Sequence, residues 1–255
     1  TLAKNMHRFQ MEGKAVWGIE EGSYLAEIQG DMFSEFRKTG RIVEKDKAVI
    51  KAPTVNEIII AVGANYMEHI KESRSIHVAP KDPVLFVKLP TAVIGHQDVI
   101  RLPKNVGRVD YEAEIAVMVK KDLADADEQE AKEAIFGVTC LNDVSARVIQ
   151  EQDGQWIRAK NFKTFCPVGP CIETDADVNN LSFELRQNGV VKQKSNSKMM
   201  IFGIPQLISF ISKHIPLRKG DLITTGTPEG IGPLSPGDTV EIEIEGVGIL
   251  RNTVE

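Results

Sequence analysis

GRVDYEAEIAVMVKK, residues 107–121, places Glu112 and Glu114 two residues apart inside what otherwise reads as a β-strand. Glu is a poor strand former, and like charges on one face repel. Side chains at i and i+2 of a strand share a face. One face then carries Val109, Tyr111, Ala113, Ile115, Val117 and Val119. The other runs Asp110, Glu112, Glu114, Ala116, Met118, from acid to apolar within one strand. That gradient puts the carboxylates at the border of a buried region. Two half-buried carboxylates either raise a pKa or share a cation. About 7 Å apart along the backbone, they can converge on one ion. All-oxygen ligation favours Mg²⁺, Mn²⁺ or Ca²⁺ over zinc. The competing reading is an edge strand with solvated acids.

Working outward, the surrounding chain is β-rich. PVLFVKLP, IFGVTCLND, LSFELRQNGVVKQKS, DLITTG and TVEIEIEGVGILRNTV read as strands. Asn188-Gly189 is the strongest hairpin signal. Helices are few: NYMEHIKES, DEQEAKEAIF, DVSARVIQEQ and IPQLISFISKHI. Strand and helix do not alternate regularly, which argues against doubly wound and βα-barrel folds and for a β-rich α+β class. Residues 1–52 read as a small N-terminal β-rich domain, with short strands and one helical piece, DMFSEFRKTG, ending on Gly40. KAPTVNEIIIAVGANY opens the main body, residues 53–255, with a buried strand at Ile58–Val62.

With 255 residues, 42% of them hydrophobic, the chain can bury a sizeable core. A net charge of −5 without a basic stripe argues against a nucleic-acid partner. No apolar run approaches the roughly 20 residues of a membrane helix, and TLAKNMHRFQMEGK lacks a signal-peptide core. Three cysteines without a CxxC suit a reducing cytoplasm and small core positions. His7, His96 and His214 read as structural, and Trp17 and Trp156 as core.

Three further segments carry candidate chemistry. GVTCLNDVSAR is an apolar strand ending in Asn142-Asp143 before a helix. Asp143 is either that helix's N-cap or a ligand at a strand end. In GANYMEHIKE, Asn65 can cap a helix, with Glu68 as capping-box partner. His69 and Glu72 then share a face at i and i+3. They form either an exposed polar face or a general base whose tautomer the carboxylate fixes. GDLITTGTPEGIGPLSPGD is a strand followed by a Gly-rich loop without the Lys of a P-loop. It is a turn or a ligand loop. The segment carrying Ser73, Ser75, His77 and Pro80 has no core pattern and suits a mobile lid.

Together these segments resemble the fumarylacetoacetate hydrolase superfamily in its small bacterial-type form. GANYMEHIKE is similar to the family's Gly-x-Asn-Tyr-x-x-His-x-x-Glu, and DYEAEIAVMV to its paired-glutamate metal strand. NDVSAR resembles the third-ligand segment, QWIRAKNFKTFCPVGP the lysine segment, and GDLITTGTPEGIGPLSPGD the Gly-Thr-Pro loop. The resemblance covers nearly the whole chain in order. It departs at AKNF, where many relatives have Ser or Gly after the lysine.

The resemblance implies a layered β-roll core, a homodimer, and Glu112, Glu114 and Asp143 as ligands of Mg²⁺ or Mn²⁺. It implies His69 and Glu72 as the catalytic dyad, and Lys160 and Thr227 as substrate contacts. Tyr66 belongs to the same motif. Three carboxylates on one divalent ion leave a charge near −1, so an anionic 2-oxo acid needs Lys160 or Arg147 nearby. The expected activity is a metal-dependent reaction of a small 2-oxo or 2-hydroxy-dienoic acid, of the 2-hydroxyhepta-2,4-diene-1,7-dioate isomerase/decarboxylase type. Acylpyruvate hydrolysis and oxaloacetate decarboxylation are the alternatives within the class. A non-catalytic, metal-stabilised β protein is the alternative outside it, and retention of both His69 and Glu72 argues against that.

Overall fold

The computed structural model describes residues 5–255. Residues 1–4, where the expected N-terminal domain begins, lie outside the described residues. The architecture is β-rich with few helices, as expected from the sequence.

The largest sheet has twelve strands among the described residues. At its centre Ala113–Val119 lies between Ile135–Asn142 and Leu222–Thr224, antiparallel to both. All seven residues of Ala113–Val119 are buried. A strand covered on both faces needs no polar alternation, which explains its mostly apolar sequence. Leu222–Thr224 pairs in parallel with Ile59–Gly63, which pairs with Val84–Lys88. On the other side Cys166–Glu173 follows, and then Asn5–Met11, through Asn5↔Glu173 and Met6↔Ile172. Hydrogen bonding therefore runs on from the main body into the N-terminal meander.

A five-stranded sheet contains Ser182–Gln187 and Val190–Asn196. Asn188 and Gly189, both at positive φ, turn that hairpin between Gln187 and Val190. A three-stranded sheet joins Val109–Tyr111 to Ser145–Ala146 and Gly232–Pro233. The main core fills the space between the sheets, from Ile60 and Ile115 to Leu185, Ile242 and Leu250. Cys140, Cys166 and Cys171 are buried free thiols.

The structure corrects four sequence expectations. DMFSEFRKTG holds no helix; Phe36–Glu44 is a strand on Tyr24–Gly30, with Gly40 at φ +90°. An isolated helix of that length is marginal in water, whereas the open sheet edge supplies ready hydrogen-bond partners. Asn65 does not cap the Met67–Glu72 helix, whose N-cap is Tyr66. Instead the Asn65 amide donates to Phe202 O and Thr225 O and accepts from Phe202 N–H. Asp143 does not cap a helix either, since the next one, Arg147–Asp153, is preceded by Ala146. Finally, the two glutamates do not share one uninterrupted strand. Glu112 falls between Val109–Tyr111 and Ala113–Val119, which belong to different sheets.

Candidate metal centre and active site

The break at Glu112 places one carboxylate at a joint between sheets and the other, Glu114, inside the large sheet. Glu112 N–H donates to Asn142 Oδ1 (3.0 Å), and Asp143 N–H donates to Glu112 O (2.9 Å). These bonds set Asp143, just past the end of the Ile135–Asn142 strand, beside both glutamates. Glu112, Glu114 and Asp143 each offer an oxygen within 4.8 Å of the others, and all three are buried. Thr224 Oγ1 (2.6 Å) and Gly226 N–H (3.1 Å) donate to Glu114 Oε1.

Three cations face this cluster. Lys160 Nζ lies 2.9 Å from Asp143 Oδ2 and 3.2 Å from Glu112 Oε2. Lys88, fully buried, donates to Lys160 O and Val144 O and lies 2.8 Å from Asp143 Oδ1. That last pair is ionic, without hydrogen-bond geometry, so Asp143 Oδ1 has no hydrogen bond. Arg147 donates to Asp110 (2.9 Å), Gln150 (2.9 Å) and Glu112 (2.6 Å).

Burial alone would raise the Glu112 carboxyl, but Lys160 and Arg147 outweigh it and hold it well below the usual range. Glu114 moves the other way. Burial, then the charges of Asp143 and Glu112, push it well above the ordinary carboxylate value. Burial lowers the Lys160 ammonium, but Asp143 and Glu112 more than compensate and keep it charged.

A hard divalent cation fits this arrangement. Glu114 Oε2 and Asp143 Oδ1 are buried without hydrogen-bond partners. The donors are all carboxylate oxygens, the set that suits Mg²⁺ or Mn²⁺. The upward shift of Glu114 marks a place where one more positive charge would relieve repulsion.

His69 is buried on the Met67–Glu72 helix, and its Nδ1 is 3.1 Å from Glu72 Oε1. A carboxylate only accepts, so Nδ1 carries the hydrogen and Nε2 presents a lone pair. Glu72 is itself held by Gly230 N–H (3.0 Å) and Ile231 N–H (3.4 Å). Burial raises Glu72; the bonds from His69 and Gly230 outweigh it and lower the carboxyl. Gly230 sits at φ +95°, and a Cβ there would clash with the Lys192 carbonyl oxygen. The loop that fixes Glu72 therefore requires glycine at this position.

His69, Glu72, Glu112, Arg147, Lys160 and Thr227 line one cavity of about 220 Å³. Thr227 Oγ1 donates to Ala113 O and accepts from Gln193 Nε2, so its hydroxyl hydrogen is already engaged. Tyr66 is buried against Phe183, its hydroxyl unpartnered, outside the cavity wall. His77 is exposed on the segment after the dyad helix and does not line the cavity.

Sequence reasoning missed several contributors. Trp156, expected in the core, lines the cavity and packs edge-on to Phe86 at 5.2 Å. Lys88 was hidden inside a strand pattern, although a lysine within PVLFVKLP is itself a signal of a paired buried charge. Gln193 bonds Ala113 N–H, Thr227 and Pro228 O from a different sheet, and no local pattern announces it.

The family described as Fumarylacetoacetate (FAA) hydrolase C-terminal matches residues 58–255. The family described as Rv2993c-like, N-terminal matches residues 6–53. A protein of Archaeoglobus fulgidus is 46% identical over 246 residues, 96% of this chain and 94% of that one. The human mitochondrial oxaloacetate tautomerase FAHD2B is 34% identical over 100% of this chain and 81% of its own. The crystal structure of 2-hydroxyhepta-2,4-diene-1,7-dioate isomerase from Mycobacterium marinum superposes with a TM-score of 0.91. It is 38% identical and is covered over 98% of each chain.

Proposed function

The chain belongs to the fumarylacetoacetate hydrolase family, and from that premise we propose that it is a divalent-metal-dependent enzyme moving a proton on a small 2-oxo or 2-hydroxy-dienoic acid. The specific reading is isomerase/decarboxylase chemistry of the 2-hydroxyhepta-2,4-diene-1,7-dioate type. The observation that carries it is the His69–Glu72 pair lining the same cavity as Glu112, whose carboxylate clusters with those of Glu114 and Asp143 just behind the wall. Two relatives support proton transfer over C–C hydrolysis. One bears the name of an isomerase and the other of a tautomerase. Both names describe a rearrangement within one substrate, not its cleavage.

Glu112, Glu114 and Asp143 would hold Mg²⁺ or Mn²⁺, which would supply electrostatic stabilisation for negative charge developing on the substrate's 2-oxygen. The other roles fall to the chain's own side chains. His69 Nε2 takes a proton from one substrate atom and returns it to another. Glu72 keeps Nδ1 protonated and stabilises the imidazolium between the two transfers. Lys160 supplies positive charge toward the substrate carboxylate, and Arg147 adds to it from the Glu112 side. Phe86 and Trp156, flanking the Lys160 ammonium at 5.0 and 6.0 Å, limit water on that side.

The test is a substrate panel with metal removed and restored. The reading expects chelation to abolish turnover of 2-hydroxy-dienedioate and of enol oxaloacetate, and Mg²⁺ or Mn²⁺ to restore it. Hydrolysis of an acylpyruvate faster than either would move the assignment to C–C hydrolase. Metal-independent turnover would refute it. A homodimer acting in the cytoplasm is part of the same proposal; a monomer by sedimentation would remove that part.

A further inference from the structure

Four cationic side chains other than histidine line the cavity: Arg74, Arg108, Arg147 and Lys160. Their engagements differ. Lys160 is buried between Glu112 and Asp143. Arg147 uses Nε, Nη1 and Nη2 on Asp110, Gln150 and Glu112. Arg74 is 76% exposed and pairs only loosely with Glu151, at 3.7 Å.

Arg108 is held yet open. Its Nε (2.6 Å) and Nη2 (3.2 Å) grip the two oxygens of Asp110 side-on. Its Nη1 has no hydrogen-bond partner among the described residues, and its side chain is 44% exposed. The base under it is rigid. Asp110 is buried, paired in the strand register with Ser145 and Pro233, and also accepts from Arg147. Arg108 O in turn accepts from Arg147 N–H (2.9 Å). A guanidinium gripped along one edge presents its other edge in a fixed plane, the geometry that takes a carboxylate in bidentate fashion. Along the cavity wall the charges run Glu112, Arg147, Asp110, Arg108. Arg108 thus lies one guanidinium and one carboxylate farther out than the acid cluster.

We propose that Arg108 binds the far carboxylate of a dicarboxylic 2-oxo acid and so selects dicarboxylic over monocarboxylic substrates. This rests on the reading that a 2-oxo acid lies in the cavity with its 2-oxo end toward Glu112, Glu114 and Asp143. A pre-oriented arginine in a partly dry site discriminates because a monocarboxylate leaves Nη1 without a partner while still displacing water from it.

Calorimetric titration of the Mg²⁺-loaded protein tests this with 2-oxohexanedioate, 2-oxohexanoate and oxalate. Wild type should bind the dioate about tenfold to hundredfold more tightly than the monoacid, the range of one charge-assisted hydrogen-bonded pair. Arg108→Met should reduce dioate binding to the monoacid's level and leave oxalate, too short to reach, unchanged. Arg108→Lys should recover part of the preference. Equal affinity of wild type for dioate and monoacid overturns the proposal. So does an Arg108→Met variant that weakens oxalate as much as the dioate, because the arginine would then act only by holding Asp110. A dioate preference that persists while no 2-oxo acid is turned over overturns the reaction assigned above but leaves this inference standing. Failure of all three acids to bind overturns both.

Discussion

Glu114 hangs from the middle of the largest sheet, fully buried, with hydrogen bonds from Thr224 and Gly226 and two further carboxylates beside it. Glu72 ends a six-residue helix, its side chain 32% exposed, held by His69 and by backbone N–H groups of a glycine loop. Glu72 lines the cavity, whereas Glu114 lies behind its wall, beside the lining residue Glu112. The first region concentrates charge where water is excluded, so each group depends on a partner. The second keeps its groups near solvent, on a short helix that leads into a segment without regular structure from Ser73 to Pro83. Groups that fix a cation need a rigid, paired setting. On the proposed function, a base that takes up and releases a proton does not.

The contrast breaks most readily at Asp143. Asp143→Ala leaves Lys88 and Lys160 buried beside an emptied site, and removing one partner of a buried ion pair costs about 3–5 kcal/mol. Denaturant unfolding should reveal that loss, together with disappearance of any Mg²⁺-dependent rise in melting temperature. A variant as stable as wild type would mean that the pairs of Asp143 with Lys88 and Lys160 contribute no net stability.

His69→Ala probes the other region. Proton transfer should fall by about 10²–10⁴-fold with little change in stability. Any oxaloacetate decarboxylation should largely survive, since carbon dioxide leaves without a base. Glu72→Gln should lose less than His69→Ala, because it keeps the shape and removes only the orienting charge. Equal losses of isomerase and decarboxylase activity would take the dyad out of its assigned role.

Glu114→Gln sharpens the comparison through pH. In chelated protein the Glu114 carboxyl lies above its ordinary 4.5, because of burial and the charges of Asp143 and Glu112. A carboxyl raised on folding contributes stability that is fully present below the unfolded value and is lost as pH rises through the folded one. The glutamine variant cannot ionise. Its stability relative to wild type should therefore grow as pH climbs above 4.5 and stay level below it. A difference independent of pH would show that Glu114 is not uncomfortable without a cation.

The smallest effect is expected in the segment between His69 and Pro83. Its amide exchange should slow when oxalate binds the Mg²⁺-loaded protein, while exchange in the Ala113–Val119 strand stays as slow as before. Unchanged exchange in the segment would remove its role as a lid.

Much of this was legible locally. Asn188-Gly189 specifies its hairpin because a turn of that hand needs two residues at positive φ. His69 and Glu72 could be paired on paper because a helix brings i and i+3 together. The α+β class followed from many short strands and irregular alternation. The readings that failed were those in which a local rule met a stronger distant partner. Asn65 had the sequence of a cap, but its amide satisfies Phe202 and Thr225 across the core. DMFSEFRKTG read as a short helix, but its second half lies in the Phe36–Glu44 strand, paired to an open sheet edge.

What the sequence determined by itself was the chemistry on offer: acids two apart, and an imidazole beside a carboxylate. These depend on periodicities of two and 3.6 residues, which are properties of the backbone and need no fold. Only the tertiary structure decided which of these groups meet. The chain breaks between sheets at Glu112, Lys88 reaches Asp143 across 55 positions and Lys160 across 72, and Gln193 ties the acid strand to the Thr227 loop. Each of those contacts satisfies a buried polar group that has no partner within its own segment. Burial is set by the whole molecule, so the obligation to pair, and the partner that meets it, arise only once the sheets have packed.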